Sequence, residues 1–258
     1  MAEEPTRPDF RQAIVRERFD AIAPVYDETI AMRRATYNAA VDELVFEALR
    51  ERREPVQVLD VGCGTGTRWS ALKRRLPNAE VCGIDPSREM LALARRRGLD
   101  ETRGCPATAI CFDDESFDVV TCLFFVLCYV TPAAVRRRAV AEIHRVLRPG
   151  GRLFVDAMYR WHLGEGLEFK RSLTKAVADY VQSVLDPRLE AGDKLYSTGH
   201  AERPLAGFQH TFTRRSLTRL LESAGFDVEQ RHALGYDSGR AHKRPTRGQL
   251  VQVARRAV

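Results

Sequence analysis

Residues Val58 to Gly66 read Val-Leu-Asp-Val-Gly-Cys-Gly-Thr-Gly. An apolar run ends in an acid, Asp60, and a loop carrying Gly62, Gly64 and Gly66 follows at once. Trp69, Leu72 and Leu76 then recur at helical spacing, so the stretch reads as strand, tight turn, helix. Glycine lets the chain turn sharply and lets a ligand lie against the main chain, and the helix amides behind it add partial positive charge. A second strand, Ala79 to Ile84, ends in Asp85. That acid falls roughly 20 residues beyond the loop, where a carboxylate accepts both ribose hydroxyls of a nucleoside. A nicotinamide dinucleotide loop asks for a third glycine at position 67, which here is Thr67.

Outward from this unit, strand and helix alternate. Helices are expected over Arg11–Ile22 and Arg33–Leu49, the second with Tyr37, Val41, Leu44, Val45 and Ala48 as an apolar stripe. Ser87 caps a helix carrying Met90, Leu91 and Ala94, a short strand lies near Glu101–Gly104, and a fourth strand runs Phe117–Leu123. Thr131-Pro132 starts a helix that Pro149-Gly150-Gly151 stops, and strand five is Arg152–Met158. Apolar strands alternating with helices imply a doubly wound parallel sheet whose ligand lies beyond the carboxyl ends of the strands. Tyr159–His210 breaks the alternation: a helix over Leu167–Leu185 precedes an irregular or short-stranded part. A capped helix, Thr213–Ala224, and two last strands, Phe226–Arg231 and Gln249–Ala254, close the chain as an antiparallel edge.

The Asp-x-Gly-x-Gly-x-Gly form of residues 60–66 resembles motif I of the S-adenosylmethionine-dependent methyltransferases of class I, which have a Rossmann-like fold. Phe112–Val120 resembles the approach to that family's fourth strand, and Arg145–Leu153 the turn into its fifth. Phe19-Asp20-x-x-Ala23-x-x-Tyr26-Asp27 resembles the opening helix of the ubiquinone-methyltransferase-like branch, and Phe212–Phe226 its last helix and strand. The resemblance implies a seven-stranded, mostly parallel sheet with an antiparallel edge strand, plus N-terminal helices and an insertion after strand five that cover the site. One domain is expected over residues 1–258: a helical cap (1–50), the cofactor core (54–158), the covering insertion (159–211) and the closing helix and strands (212–258).

It also implies S-adenosylmethionine as cofactor and S-adenosylhomocysteine as product. Asp60 would hold the loop or receive the ammonium of the methionyl part, directly or through water, Gly62, Cys63, Gly64 and Gly66 would lie against the cofactor, and Asp85 would grip the ribose. Pro86 and Ile84 would flank the adenine, Leu123 would also contact the cofactor, and Tyr26 would close over its methionyl end. Two positions depart from the family. Its acid for the adenine amine becomes Pro106, leaving the Ala107 amide and Thr108 to meet the ring. No histidine stands near Cys128 and Tyr129, so a general base falls to Tyr129, His162, His200 or His210, with Asp156 a further candidate. Arg33 and Arg34 face an anionic acceptor or start a solvated helix.

Bulk properties bound the partners. The chain has 258 residues and a formal net charge of +6. Its basic residues are dispersed, and Arg136, Arg137 and Arg138 are expected on a solvated helix face. No apolar run reaches the roughly 20 residues of a membrane span. The opening residues Ala2-Glu3-Glu4-Pro5 do not read as a signal peptide, and the cytoplasm is the expected location. Six cysteines (63, 82, 105, 111, 122 and 128) form no C-x-x-C, so no metal site or redox pair is expected. Clustered thiols such as Cys105, Cys111 and Cys128 also raise arsenic methylation, which ranks below a structural role. The leading expectation is methyl transfer to oxygen or nitrogen of a small molecule, with specialised metabolism as one setting. The alternatives are methylation of a tRNA wobble uridine and a non-catalytic cofactor-binding subunit. Oligomeric state is left open.

Overall fold

In the computed structural model, which describes residues 10–28, 35–165, 169–198 and 205–257, β1 (Val56–Val61) lies in the middle of a seven-stranded sheet. Its parallel neighbours are β2 (Ala79–Ile84) and β4 (Phe117–Cys122), with Asp60 in register with Gly83 and Thr121. β3 (Glu101–Arg103) extends one side, and β5 (Leu147–Ala157) extends the other. The last two strands, β8 (Phe226–Leu234) and β9 (Gln249–Arg256), form the expected antiparallel pair, β9 lying between β5 and β8. The strand order is therefore β3-β2-β1-β4-β5-β9-β8. Order reverses between β1 and β4, and a crevice opens at such a switch point.

The central strands carry runs such as Val58-Leu59 and Val119-Val120 because both faces of the sheet are covered. α2 (Ala35–Leu49) seals one face with Tyr37, Val41, Val45 and Leu49, all buried. α3 (Thr67–Leu72), α4 (Arg88–Arg96) and α5 (Ala133–Val146) follow β1, β2 and β4. β5 begins five residues earlier than its apolar pattern indicated, because Leu147 already pairs with Phe117 before the register shifts. α7 (Arg214–Glu222) carries a reciprocal cap between Thr213 and Ser216.

The insertion consists of α6 (Phe169–Leu185) and a two-stranded hairpin, β6 (Asp193–Thr198) and β7 (Leu205–His210). It packs against α1 (Phe10–Ile22). Arg11 Nη1 donates to Asp193 Oδ2 at 2.6 Å, and the Arg18 guanidinium stands 5.3 Å from the Tyr196 ring centre. The first helix and the insertion, distant in sequence, thus pack together, and of the described insertion residues Arg188 lines the cavity described below.

Two expectations are corrected here. Arg136 is not on a solvated face: it is buried, donates to the Val130 carbonyl at 3.0 Å and pairs with Glu190. Cys105 and Cys111 are joined as a disulfide across a spacing that the C-x-x-C criterion does not cover. Arg33, Arg34 and His200 lie outside the described residues.

Candidate active site

The glycine loop is folded over the end of β2. The Gly62 and Cys63 amides both donate to the Ile84 carbonyl, at 2.8 and 3.0 Å. This brings Gly64 beside the next acid, and its amide donates to Asp85 Oδ2 at 3.0 Å. Asp85 Oδ1 accepts from the Ser87 amide at 2.9 Å, which ties the same carboxylate to the start of α4. Gly64 has φ +52°, and a Cβ there would meet nothing within 4 Å, so its α-carbon faces open space. Gly66 is glycine for another reason: a Cβ would lie 2.9 Å from Ala94 Cα, where the loop passes against α4.

Asp60 sits beneath this loop with 5% of its surface exposed. Its Oδ1 accepts from Thr121 Oγ1 at 2.7 Å, and that hydroxyl accepts from Trp69 Nε1 at 3.0 Å. Burial raises the Asp60 pKa to about 7 against the lowering effects of the Thr121 bond and the Arg68 charge. Burial likewise raises Asp85, opposed by the Ser87 and Gly64 amides. Two carboxyl groups held at a cost in one crevice suit a cationic or hydroxyl-bearing ligand.

A brace that the sequence reading missed holds the loop from above. Asp27 Oδ1 accepts from Thr65 Oγ1 at 2.8 Å and from Thr67 Oγ1 at 3.1 Å. Arg97 closes the ring, donating to Asp27 Oδ2 at 2.6 Å and to the Thr65 carbonyl at 2.8 Å. The hydroxyl at position 67, where a dinucleotide loop has glycine, is therefore a contact to the opening helix segment. The signal available was the adjacency of Tyr26 and Asp27 to the end of α1.

These elements surround one cavity of about 1800 Å³. Tyr26, Asp60, Gly62, Cys63, Gly64, Asp85, Pro86, Ala107, Thr108 and Leu123 all line it, as does Tyr129. Gly66 does not. Cys105 and Pro106 also line it, so the disulfide closes a short loop that carries the Ala107 and Thr108 wall. Another part of the wall is built by Phe10, Val15 and Phe19 of α1, with Arg11, Arg16 and Asp20 of the same helix, and by Phe124, Val126 and Val130 of the turn after β4. Phe124 and Phe125 hold φ of +70° and +67°, a conformation that needs support in a non-glycine residue. Asp156 supplies it: fully buried, it accepts from the Phe125 amide at 2.6 Å and from Tyr37 Oη at 3.0 Å. Burial raises its pKa to about 6, opposed first by the Phe125 bond. Asp156 is absent from the cavity wall and braces the turn.

Of the remaining base candidates, the described ones, His162 and His210, do not converge on the cavity. His162 lies elsewhere, its Nε2 buried without a hydrogen-bond partner among the described residues. His210 is locked within the insertion, its Nδ1 2.7 Å from Asp193 Oδ1 and its ring edge-on to Phe212. Burial lowers the pKa of both. Among the described residues no histidine lines the cavity, and Tyr129 stands in its wall with its ring edge-on to Phe19 at 5.1 Å. Glu190, Asp193 and His210 lie close enough together to hold a metal ion, but Arg136 and Arg11 already occupy the two carboxylates.

The strand order, the antiparallel pair at one edge and the crevice beneath a glycine loop define the Rossmann-like fold of the class I S-adenosylmethionine-dependent methyltransferases. Residues 59–155 match the family model described as a methyltransferase domain, and this stretch is a domain of that family. Over 151 residues the chain is 38% identical to a demethylmenaquinone methyltransferase of Thermus thermophilus, a match covering 53% of this chain and 62% of that protein. The chain thus spans less than two thirds of the length of this relative. A methyltransferase structure from Methanosarcina mazei superposes with a TM-score of 0.64 at 22% identity, covering 83% of this chain and 97% of that one. The 1,6-didemethyltoxoflavin-N1-methyltransferase of Burkholderia thailandensis, crystallised with its acceptor and S-adenosylhomocysteine, gives 0.63 at 19% identity, covering 100% and 94%. These two structures share the fold.

Proposed function

We propose that the protein transfers the methyl group of S-adenosylmethionine to an oxygen or nitrogen of a small, largely apolar acceptor. The observation that carries this is the continuous cavity of about 1800 Å³, lined by Asp60 and Asp85 in one part and in another by α1 and the turn after β4, where Phe10, Val15, Phe19, Phe124, Val126 and Val130 supply apolar surface. Ligand pockets commonly measure roughly 300–1,000 Å³, so one cavity of this size has room for cofactor and acceptor together. The residues fit the cofactor: the open side of Gly64 admits a molecule against the main chain, and Asp60 offers an anion to an ammonium. Asp85 would exchange the Gly64 amide for ribose hydroxyls, and Ala107 and Thr108 would meet the adenine.

Bound there, S-adenosylmethionine supplies an electrophilic methyl group on a positively charged sulfur. The protein's part is to align donor and acceptor and to keep water out. Tyr26 and Phe19 wall the crevice from the α1 side, and Phe124 and Leu123 wall it from the sheet. Tyr129 is the residue placed to accept or relay a proton from a hydroxyl acceptor. With histidines absent from the described wall, an acceptor that already carries its nucleophile, such as an enolate, phenolate or amine, suits the site. The Thermus relative is named a demethylmenaquinone methyltransferase, which agrees with a small-molecule acceptor. The test is incubation with methyl-labelled cofactor and a panel of quinols, phenols, amines and bulk tRNA. Label in a small molecule is expected; label confined to RNA would replace this reading.

A further inference from the structure

The six cysteines of the chain are not equivalent. Cys63, Cys82, Cys122 and Cys128 are free thiols, whereas Cys105 and Cys111 are joined. The joined pair spans two environments. Cys105 is buried and lines the cavity, while Cys111 is exposed and lies off the cavity wall. One disulfide therefore reaches from the cofactor crevice to the protein surface, where a thiol in solution can meet it.

What the disulfide holds is a stretch of wall with few other ties. The exit of the loop is gripped by α5 and β3. Arg145 donates to the Ile110 and Phe112 carbonyls at 2.8 and 2.9 Å, the Ile110 amide donates to Glu142 Oε2 at 2.9 Å, and Arg103 donates to the Cys111 carbonyl. Before that grip run Pro106, Ala107, Thr108 and Ala109, of which the first three line the cavity. These four residues carry no charge. Among the described residues their one hydrogen bond is internal, from the Ala109 amide to the Pro106 carbonyl at 3.1 Å, and Ala107 rests against the core. The entry of the stretch is fastened to its anchored exit at Cys105, by the covalent link and by the Cys111 amide, which donates to Cys105 Sγ at 3.3 Å. Opening the link leaves Pro106–Ala109 with turn geometry and packing alone.

We propose that Cys105–Cys111 is a thiol-exchange site that sets cofactor affinity: closed, it preorganises the Ala107 and Thr108 wall, and opened by a dithiol it leaves that wall to be ordered on binding. The contact of this wall with adenine rests on the proposed function; the exchange does not. One thiolate of the dithiol attacks Cys111 at the exposed end, and Cys105 leaves as a thiolate and takes up a proton. The second thiol of the reductant then displaces Cys111. The reductant departs as its own disulfide, and two electrons and two protons remain on the cysteine pair. The test treats the whole protein with diamide or with dithiothreitol and counts thiols by maleimide labelling in denaturant. Four labels are expected after oxidation and six after reduction, because the other four cysteines are free. S-adenosylhomocysteine calorimetry should show the reduced protein binding about fivefold more weakly or worse, since ordering the wall then opposes binding. Cys111→Ser should bind as reduced wild type does, with or without dithiothreitol, and circular dichroism monitors the fold of each sample. The wild-type comparison needs no substitution. Six labels in both states, equal affinity in both states, or a Cys111→Ser variant whose affinity still responds to the reductant overturns the proposal. Oxidised protein that takes four labels and binds no S-adenosylhomocysteine overturns the placement of the cofactor together with the coupling, whereas equal affinities overturn the coupling alone.

Discussion

Asp60→Asn separates what the site costs from what it does. The Asp60 carboxyl is moved from 3.8 to about 7 chiefly by burial. A carboxyl held that far above its unfolded value binds a proton more tightly in the folded state. Its contribution to stability is fully present below pH 3.8 and is lost as the pH rises toward 7. At pH 8 the ionised group costs the unliganded fold about 4 kcal/mol, at about 1.4 kcal/mol per unit. Asparagine keeps an acceptor for Thr121 Oγ1 and removes the charge. The unliganded variant is therefore expected to be more stable than wild type in urea at pH 8, by at least about 1 kcal/mol. The advantage should disappear near pH 4. The same change should weaken S-adenosylhomocysteine binding about tenfold or more by calorimetry, since a charge-assisted contact to the ammonium is lost. In wild type, affinity should fall as the pH drops below 7, because binding then requires Asp60 to give up its proton. A variant less stable than wild type at pH 8 that binds the product equally well would show Asp60 to be an ordinary core anchor, and the assignment of the methionyl end would fall.

Asp85→Ala removes the acceptor for both the Gly64 and Ser87 amides, and cofactor affinity should drop more than about tenfold in a titration. Gly64→Val should leave a folded protein that no longer binds the product, because the new side chain enters open space at the cavity; the αL backbone adds a penalty of about 1–3 kcal/mol visible in the melting temperature. Gly66→Val should instead damage the fold itself, since its Cβ meets the main chain of α4, and normal folding of that variant would contradict the packing described. Asp27→Ala releases the brace on Thr65, Thr67 and Arg97; the Arg97–Asp27 pair is partly exposed, so stability should change by under about 1 kcal/mol while the cofactor KM rises. Tyr37→Phe strips one partner from buried Asp156 and should cost about 1–3 kcal/mol in urea denaturation. That loss should be greater at pH 8 than at pH 5, where Asp156 is protonated.

The fold was largely legible because the central strands are short apolar runs ending in punctuated turns. Val58–Asp60 and Ala79–Ile84 needed only local reading, and the glycines between them reported a backbone path that few other residues follow. The polar end of the cavity was legible for the same reason: Asp60, Gly64 and Asp85 lie within one strand-turn-helix-strand unit. Arg136 was misread because a helix face is assigned solvated or buried by its own periodicity. What buries Arg136 is Glu190, 54 residues away on the insertion. Likewise, nothing local in Cys105-x5-Cys111 distinguishes a disulfide from two packed thiols.

The acceptor end was opaque to sequence reading for a deeper reason. Its wall is assembled from α1 and from the turn after β4 with the start of α5, which are distant from α1 in sequence and meet it directly, as where the Tyr129 ring stands edge-on to Phe19. The turn itself depends on Phe124 and Phe125 holding positive φ, an arrangement that no residue preference announces and that Asp156 and Tyr37 sustain from two other elements. The packing of α1 on the insertion depends on Arg11 meeting Asp193 across 182 positions. Cofactor recognition needs one fixed constellation and so concentrates in a motif. Acceptor recognition is built from side chains that the scaffold merely brings together, and its specificity can change without any motif changing. On the proposed function, the choice of acceptor would rest on side chains lining this part of the cavity, Phe10, Val15 and Phe19 on one side and Val126, Tyr129 and Val130 on the other.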